Sequence, residues 1–209
     1  LMEQGVTLLD PSRTDIRGHL DCGTDVVIDV GCIFEGKVKI GKNVTIGAYS
    51  ILKDSEILND SIIKPYSHID NAKVGKNNII GPYARLRPGT VTNENVHIGN
   101  FVEIKNSKID SGSKINHLSY VGDSIVGKNV NVGAGTITCN YDGVNKHQTI
   151  IEDNVFIGSN TQLVAPVKIG AGSTIGAGST ITKNTPVNKL SLSRAKQTSI
   201  PSWEKPKKS

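Results

Sequence analysis

Ile169-Gly-Ala-Gly-Ser-Thr-Ile175-Gly-Ala-Gly-Ser-Thr-Ile181 states one hexapeptide twice. A large aliphatic residue is followed by glycine and small residues, and the next aliphatic arrives six positions later. A fixed short period marks a solenoid or an array. Working outward from this copy, apolar anchors recur every six residues from Ile28 to Thr138. The step shortens to five at Leu58–Ile63, Ile69–Val74, Ile104–Ile109 and Val121–Val126. After a gap the anchors resume at Ile151 and continue to Ile181. Of these anchors, Thr92 and Thr138 alone are not large and apolar.

Six is even, so each anchor shares a strand face with the residue two positions before it. Glycine after an anchor lets the chain bend sharply. Short strands ending in bends are the units of parallel β-helices. The pattern resembles the hexapeptide acyltransferases, whose three hexads form one triangular turn of a left-handed parallel β-helix. The handedness is implied by that resemblance alone, because the general rule favours right-handed crossovers. The expected fold is therefore all-β, with a short N-terminal helical lead-in and an extended C-terminal arm. Residues 1–27 read as linker and lead-in, 28–186 as the β-helix and 187–209 as a basic arm. Ile151 follows Thr138 by 13 positions, with Asp142-Gly143 between them. That excess predicts an inserted loop over 138–150.

Aromatic residues make up only 4% of the 209. A solenoid explains this, since each rung contacts only its neighbours and needs a thin aliphatic stack. The whole net charge of +5 comes from Lys189, Arg194, Lys196, Lys205, Lys207 and Lys208 set against Glu204. A basic tail suits an anionic ligand, whereas nucleic acid requires a broader basic face with aromatics. No run of 18 apolar residues predicts membrane insertion. Cys22, Cys32 and Cys139 are odd in number and lack CxxC spacing, which points to reduced thiols and a cytoplasmic setting. Leu1 in place of an initiator Met points to a piece of a longer protein.

The chemistry is expected where the repeat departs from its own rule. Arg87 and Lys105 follow anchors where Gly, Asn or Asp is usual, and they lie three hexads apart. One turn of separation stacks them, and two adjacent cations favour an anion between them. His117 falls at a corner, with the backbone of Ala134 one rung above. Tyr120 and Asn131 lie within the next rungs, so a cationic pair, an imidazole, a phenol and an amide are expected together. Ser159 and Ala177 stack as small residues, leaving a flat wall for a long ligand.

Five motifs sharpen the resemblance: Ala84-Arg-Leu-Arg-Pro-Gly89, Gly99-Asn-Phe-Val-Glu-Ile-Lys105, Asn116-His-Leu-Ser-Tyr120, Asn131–Gly143 and Gly158-Ser-Asn-Thr-Gln-Leu-Val-Ala-Pro166. Together they resemble the acetyltransferase half of the bacterial bifunctional N-acetylglucosamine-1-phosphate uridyltransferase / glucosamine-1-phosphate acetyltransferase family. The resemblance implies acetyl transfer from acetyl-CoA to the amine of glucosamine 1-phosphate, on the route to UDP-GlcNAc and cell-wall precursors. It implies His117 as general base, a role that suits an imidazole near neutral pH, with Glu103 as its orienting partner. Arg87, Lys105, Tyr120, Asn131 and Lys146 match the sugar-phosphate positions. Ala134, Asn140, Tyr141, Ser159, Ala177 and Arg194 match the acetyl-CoA positions, with the Ala134 amide placed as an oxyanion donor. A homotrimer with sites shared between subunits is implied, acting on small molecules, with no nucleic acid and no metal. No glycine-rich nucleotide loop precedes Leu1, so uridyl transfer is not expected of this chain.

The rival readings are another hexapeptide acyltransferase and a non-catalytic scaffold. The first would lack the Asn140-Tyr141-Asp142-Gly143 segment, and the second would keep small residues at the corners of 87–146. A γ-type carbonic anhydrase needs three zinc-binding histidines, two of them five apart in one strand. His19, His68, His97, His117 and His147 offer no such pair.

Overall fold

Strand alternation turns each anchor inward, and the stacked anchors form the core. The computed structural model describes residues 1–206. Ile28, Phe34, Ile46, Leu52, Ile80, Leu86, Ile104 and Ile157 are all buried within one hydrophobic column. Short parallel strands wind around it as a three-faced β-helix. The first face is an 11-stranded sheet running from Val6–Leu8 to Leu190–Ser191. The second and third faces join in one 17-stranded sheet, because Asp15–Cys22 and Ile33–Ile40 run continuously around the corner between them. Between its terminal turns the first face advances 17 or 18 residues per turn, as in Thr45↔Ile62 and Ile79↔His97. It advances 25 where the inserted loop lies, at Asn131↔Phe156.

Pairing extends beyond the periodic stretch at both ends. Val6–Leu8 pairs with Val26–Ile28 ahead of the first anchor. Leu190–Ser191 pairs with Thr174–Ile175 beyond the last. The helical lead-in is two single 3-10 turns, Met2–Gln4 and Pro11–Arg13. The arm is free of regular strands only beyond Ser191, and Lys207, Lys208 and Ser209 of the expected basic arm lie outside the described residues.

One anchor is reassigned. Ile57 is buried at 0% exposure, whereas Leu58 is 38% exposed. The short step is therefore Leu52–Ile57, and every five-residue step falls at the same corner, between the second and third faces. The 138–150 insertion occupies that corner as well. Chain length varies there because the corner faces solvent and leaves the stack of anchors undisturbed.

The two polar anchors are satisfied internally, as buried hydroxyls must be. Thr92 Oγ1 accepts from Asn78 Nδ2 at 2.6 Å, and Asn78 Oδ1 in turn accepts from Val96 N at 2.7 Å. Thr138 Oγ1 accepts from Gly122 N at 2.8 Å.

Corners are turned by residues in the left-handed backbone region. Among the described residues, eighteen non-glycine residues have positive φ; 13 are Asn or Asp, which tolerate it best. The other five are Tyr49, Tyr66, Tyr83, Phe101 and Leu118. That conformation costs an L-residue about 1–2 kcal/mol. All five occupy one corner on consecutive turns, each N–H donating to the carbonyl 18 or 19 residues earlier.

Candidate active site

The second face separates two columns of functional residues, one at each of its edges. The first column stands at the corner between the first and second faces. Asn100 pairs in register with His117. Continuing Ile115↔Val132 by two residues sets Ala134 above His117, and Gly135 N donates to His117 O at 3.4 Å. Ser159 and Ala177 follow, marked by Asn160 N to Ala134 O at 2.7 Å and Gly178 N to Ser159 O at 2.8 Å. Arg194 closes the column from the arm, its Nη1 donating to Ala177 O at 2.8 Å.

This column is chemically exposed. The His117 side chain reaches solvent, and its Nδ1 lies 2.9 Å from Asn100 Oδ1. An amide oxygen accepts only, so it holds the proton on Nδ1 and leaves Nε2 with a free lone pair. The N–H groups of Ala134, Ser159 and Ala177 donate to no acceptor among the described residues. The result is a line of free backbone donors rising from His117.

The second column stands at the corner between the second and third faces. Arg87 N donates to Ile104 O at 2.8 Å, which stacks Arg87 beside Lys105, and Lys105 pairs with Gly122. The two cations do not wait for an outside anion, because each has its own carboxylate. Arg87 Nη1 donates to Glu103 Oε1 at 2.8 Å, and Lys105 Nζ lies 3.4 Å from Asp123 Oδ2. Glu103 also faces Arg85 Nη1 at 3.5 Å. Asp123 accepts further bonds from Asn106 Nδ2 at 2.6 Å and from Asn140 Nδ2. Burial alone would raise the Asp123 carboxyl. The bonds from Asn106 and Asn140, with the Lys105 charge, hold it below the ordinary range.

The inserted loop bends back onto this column. Tyr141 and Lys146 form an antiparallel bridge, and the Asp142 carboxylate accepts from Val144 N, Asn145 N and His147 Nε2 at 2.7–2.8 Å. These bonds, led by the one to His147, hold the Asp142 carboxyl far below its ordinary range. Lys146 returns to lie against Lys105, and that contact lowers its ammonium below the ordinary lysine value. Gly122 leaves the floor of the site open: a Cβ there would meet the Tyr120 hydroxyl and Asn140 Nδ2. Arg87, Lys105, Lys146 and the Tyr120 hydroxyl thus gather at one edge of the second face, with Glu103 and Asp123 as the nearest carboxylates.

The geometry separates some residues that the sequence reading places together. Within one chain Glu103 lies away from His117. It points outward from the middle of the second face, where Arg85 and Arg87 take up its carboxylate, and Asn100 holds the imidazole instead. Asn131 lies on the first face between Lys114 and Phe156, away from Arg87 and Lys105. His117 and the cationic corner are five residues apart along the chain, at most about 16 Å at about 3.3 Å per residue. Asn140 is nearly buried and gives its side-chain amide to Asp123, while Tyr141 is exposed. Asn100, Asn106 and Asp123 received no role in the sequence reading because Asn and Asp are ordinary corner residues in this chain. The signal for Asn100 was its spacing of 17 from His117, one turn. A cavity of about 570 Å³ on the third face, lined by Val91, Lys108, Ile125 and Ile150 among others, touches neither column.

Residues 16–100 match the GMPPB C-terminal domain, and residues 148–183 match the bacterial transferase hexapeptide (six repeats). Along all of its length the chain is 63% identical to the bifunctional protein GlmU of Nitrosospira multiformis. It is 61% identical to that of Methylobacillus flagellatus. Each alignment spans 208 residues and covers 45% of the relative, so the chain spans a little under half the length of the curated relatives it matches. Among solved structures, the UDP-N-acetylglucosamine acyltransferase of Francisella novicida superposes with a TM-score of 0.60 at 17% identity. That alignment covers 86% of this chain and 64% of that one, a likeness of fold.

Proposed function

We propose that this chain, 63% identical along its whole length to a little under half of a bifunctional GlmU protein, transfers an acetyl group from acetyl-CoA to the amine of glucosamine 1-phosphate. The observation that carries this reading is the gathering of Arg87, Lys105, Lys146 and the Tyr120 hydroxyl at one edge of the second face. Three cations and a phenol suit a phosphate monoester on a sugar. The anion replaces part of what Glu103 and Asp123 do in its absence.

His117 supplies the base. Its Nε2 takes the proton that the sugar amine must lose before attack on a thioester. Asn100 keeps the other ring nitrogen protonated and the ring fixed. The Ala134 N–H, free and one rung above, donates to the carbonyl oxygen as negative charge develops there. Thiolate is a good leaving group, so one tetrahedral step suffices and no acyl-enzyme is needed. The column of Ala134, Ser159 and Ala177, closed by Arg194, forms the wall along which acetyl-CoA lies, and Asn140 and Tyr141, at the other edge of the second face, reach the ligand from a neighbouring copy. No metal takes part in this scheme. The product would feed UDP-GlcNAc synthesis in the cytoplasm.

Asn131 joins the site only if a neighbouring copy supplies what one chain separates. A homotrimer with shared sites meets that requirement. The deciding assay mixes the chain with acetyl-CoA and glucosamine 1-phosphate. Free thiol and N-acetylglucosamine 1-phosphate are expected in equal amounts. Absence of both supports the scaffold reading, and acetylation of a different acceptor class supports another acyltransferase.

A second measurement isolates the floor of the phosphate site. Gly122 has an ordinary backbone angle, so Gly122→Ala adds only a methyl group beneath the Tyr120 hydroxyl. Displacing a positioning group by about 1 Å costs up to roughly 100-fold in rate. The variant is expected to lose about 10- to 100-fold in kcat/KM for glucosamine 1-phosphate with little change in thermal midpoint. Unchanged kinetics would remove Tyr120 from the site.

A further inference from the structure

The three cations at the edge of the second face differ in what their charge meets. Arg87 donates to Glu103 at 2.8 Å, and a guanidinium keeps its proton and offers no nucleophile. Lys105 is largely covered, with Asp123 3.4 Å from its Nζ. Burial alone would lower the Lys105 ammonium, but contact with Lys146 and the Asp123 carboxylate hold it above the ordinary lysine value. Lys146 is exposed and forms no ion pair among the described residues. Its contact with Lys105 holds its own ammonium below the ordinary value. A lysine set beside a second cation is the one that keeps a usable lone pair.

The inserted loop fixes where that amine stands. Asp142 accepts from Val144 N, Asn145 N and His147 Nε2, and His147 N donates to Asn140 O at 2.8 Å. These bonds flank Lys146 on both sides. Its antiparallel bridge to Tyr141 sets it beside residues that the acetyl-transfer reading places against acetyl-CoA. Glucosamine 1-phosphate carries its amine and its phosphate on adjacent ring carbons. A group that grips the phosphate therefore stands within one sugar's width of the nitrogen that attacks the thioester. With the sugar absent, the flexible lysine stem can cover that gap.

We propose that Lys146 is itself an acetyl acceptor, so that the protein acetylates its own phosphate-binding lysine when acetyl-CoA is present and the sugar phosphate is not. The Nζ lone pair attacks the thioester carbonyl carbon. A C–N bond forms, the C–S bond breaks and CoA leaves as thiolate. The nitrogen gives up one proton, which His117 Nε2 receives and the thiolate takes up. The products are Nε-acetyl-Lys146 and free CoA thiol, with no further reactant. Acetylation removes one positive charge from the edge that grips the phosphate, so it weakens binding of the sugar phosphate. The sugar phosphate in turn shields Lys146 by occupying the same cations. The inference rests on the acetyl-transfer reading above and adds an acceptor to it.

The test is incubation of the unaltered chain with acetyl-CoA alone, followed by peptide mass mapping. Lys146 is expected to gain an acetyl group at least about 10-fold faster than any other lysine, with one thiol released per acetyl gained. N-acetylglucosamine 1-phosphate fills the site without accepting acetyl. At about ten times its dissociation constant it is expected to slow the gain about 10-fold. His117→Ala is expected to slow it by about 10-fold or more. The acetylated chain and Lys146→Gln are both expected to show KM for glucosamine 1-phosphate raised roughly 10-fold. Even labelling of the exposed lysines, or labelling of Lys146 that N-acetylglucosamine 1-phosphate does not slow, overturns the inference. The labelling needs no sugar substrate, so the two readings fail separately. A chain that acetylates glucosamine 1-phosphate and leaves Lys146 unmodified overturns self-acetylation alone. A chain that modifies Lys146 selectively and ignores glucosamine 1-phosphate upholds the lysine as acceptor and overturns the sugar reading.

Discussion

His117→Ala is expected to lower acetyl transfer to glucosamine 1-phosphate by roughly 10²- to 10⁴-fold, the usual worth of a positioned general base. The loss should fall on kcat. The His117 ring is exposed, so its removal opens no cavity in the core. The Ala134, Ser159 and Ala177 amides belong to other rungs, so affinity for acetyl-CoA should stay within a few fold. Steady-state kinetics with acetyl-CoA and sugar phosphate varied in turn separate the two effects. Turnover near the unaltered level would show that His117 is not the base. Asn100→Ala gives the companion result: with Nδ1 unheld, kcat should fall less steeply while both KM values hold.

Arg87→Ala and Lys105→Ala are expected to raise KM for glucosamine 1-phosphate by roughly 10- to 100-fold each, since hydrogen bonds to charged groups contribute about 1.5–3 kcal/mol. Arg87→Ala should be the more damaging. Removing the guanidinium deletes a donor to the phosphate and leaves the Glu103 carboxylate facing it. In Lys105→Ala, Asp123 keeps its bonds from Asn106 and Asn140, so less unpaired charge is exposed. Glucosamine without its phosphate supplies the control. It should be a poor substrate for the unaltered chain and lose little more in either variant. Equal use of the two sugars by the unaltered chain would refute the phosphate assignment.

The β-helix was legible before any coordinate because its determinants are local and repeat. Alternation, a six-residue period and glycine at the bends act within one hexad, and each rung touches only its neighbours. The one misplaced anchor shows the limit. Ile57 and Leu58 are adjacent and both apolar, so periodicity admits either, and only the stacking of Ile57 against Ile40 and Val74 one turn away on each side decides. The 138–150 insertion was legible as a break in spacing. Its return onto Lys105 depends on the Asp142 bonds, which spacing does not encode.

Register alone determined that Arg87 stacks with Lys105 and that Ala134 lies over His117, since a fixed repeat converts sequence distance into rung number. It also implied that departures from the repeat mark the chemistry. What only the tertiary structure decided is how side chains divide the space between rungs. Glu103 went to Arg85 and Arg87 rather than to His117 because outward residues on neighbouring strands meet directly, whereas a corner residue meets its own column. Likewise, the exposed ladder from Tyr49 to Leu118 emerges only when five residues about one turn apart are seen on one edge. A one-dimensional period specifies which residues stack. Charge pairing and side-chain reach across a face are three-dimensional, and they set the partner each stacked residue takes.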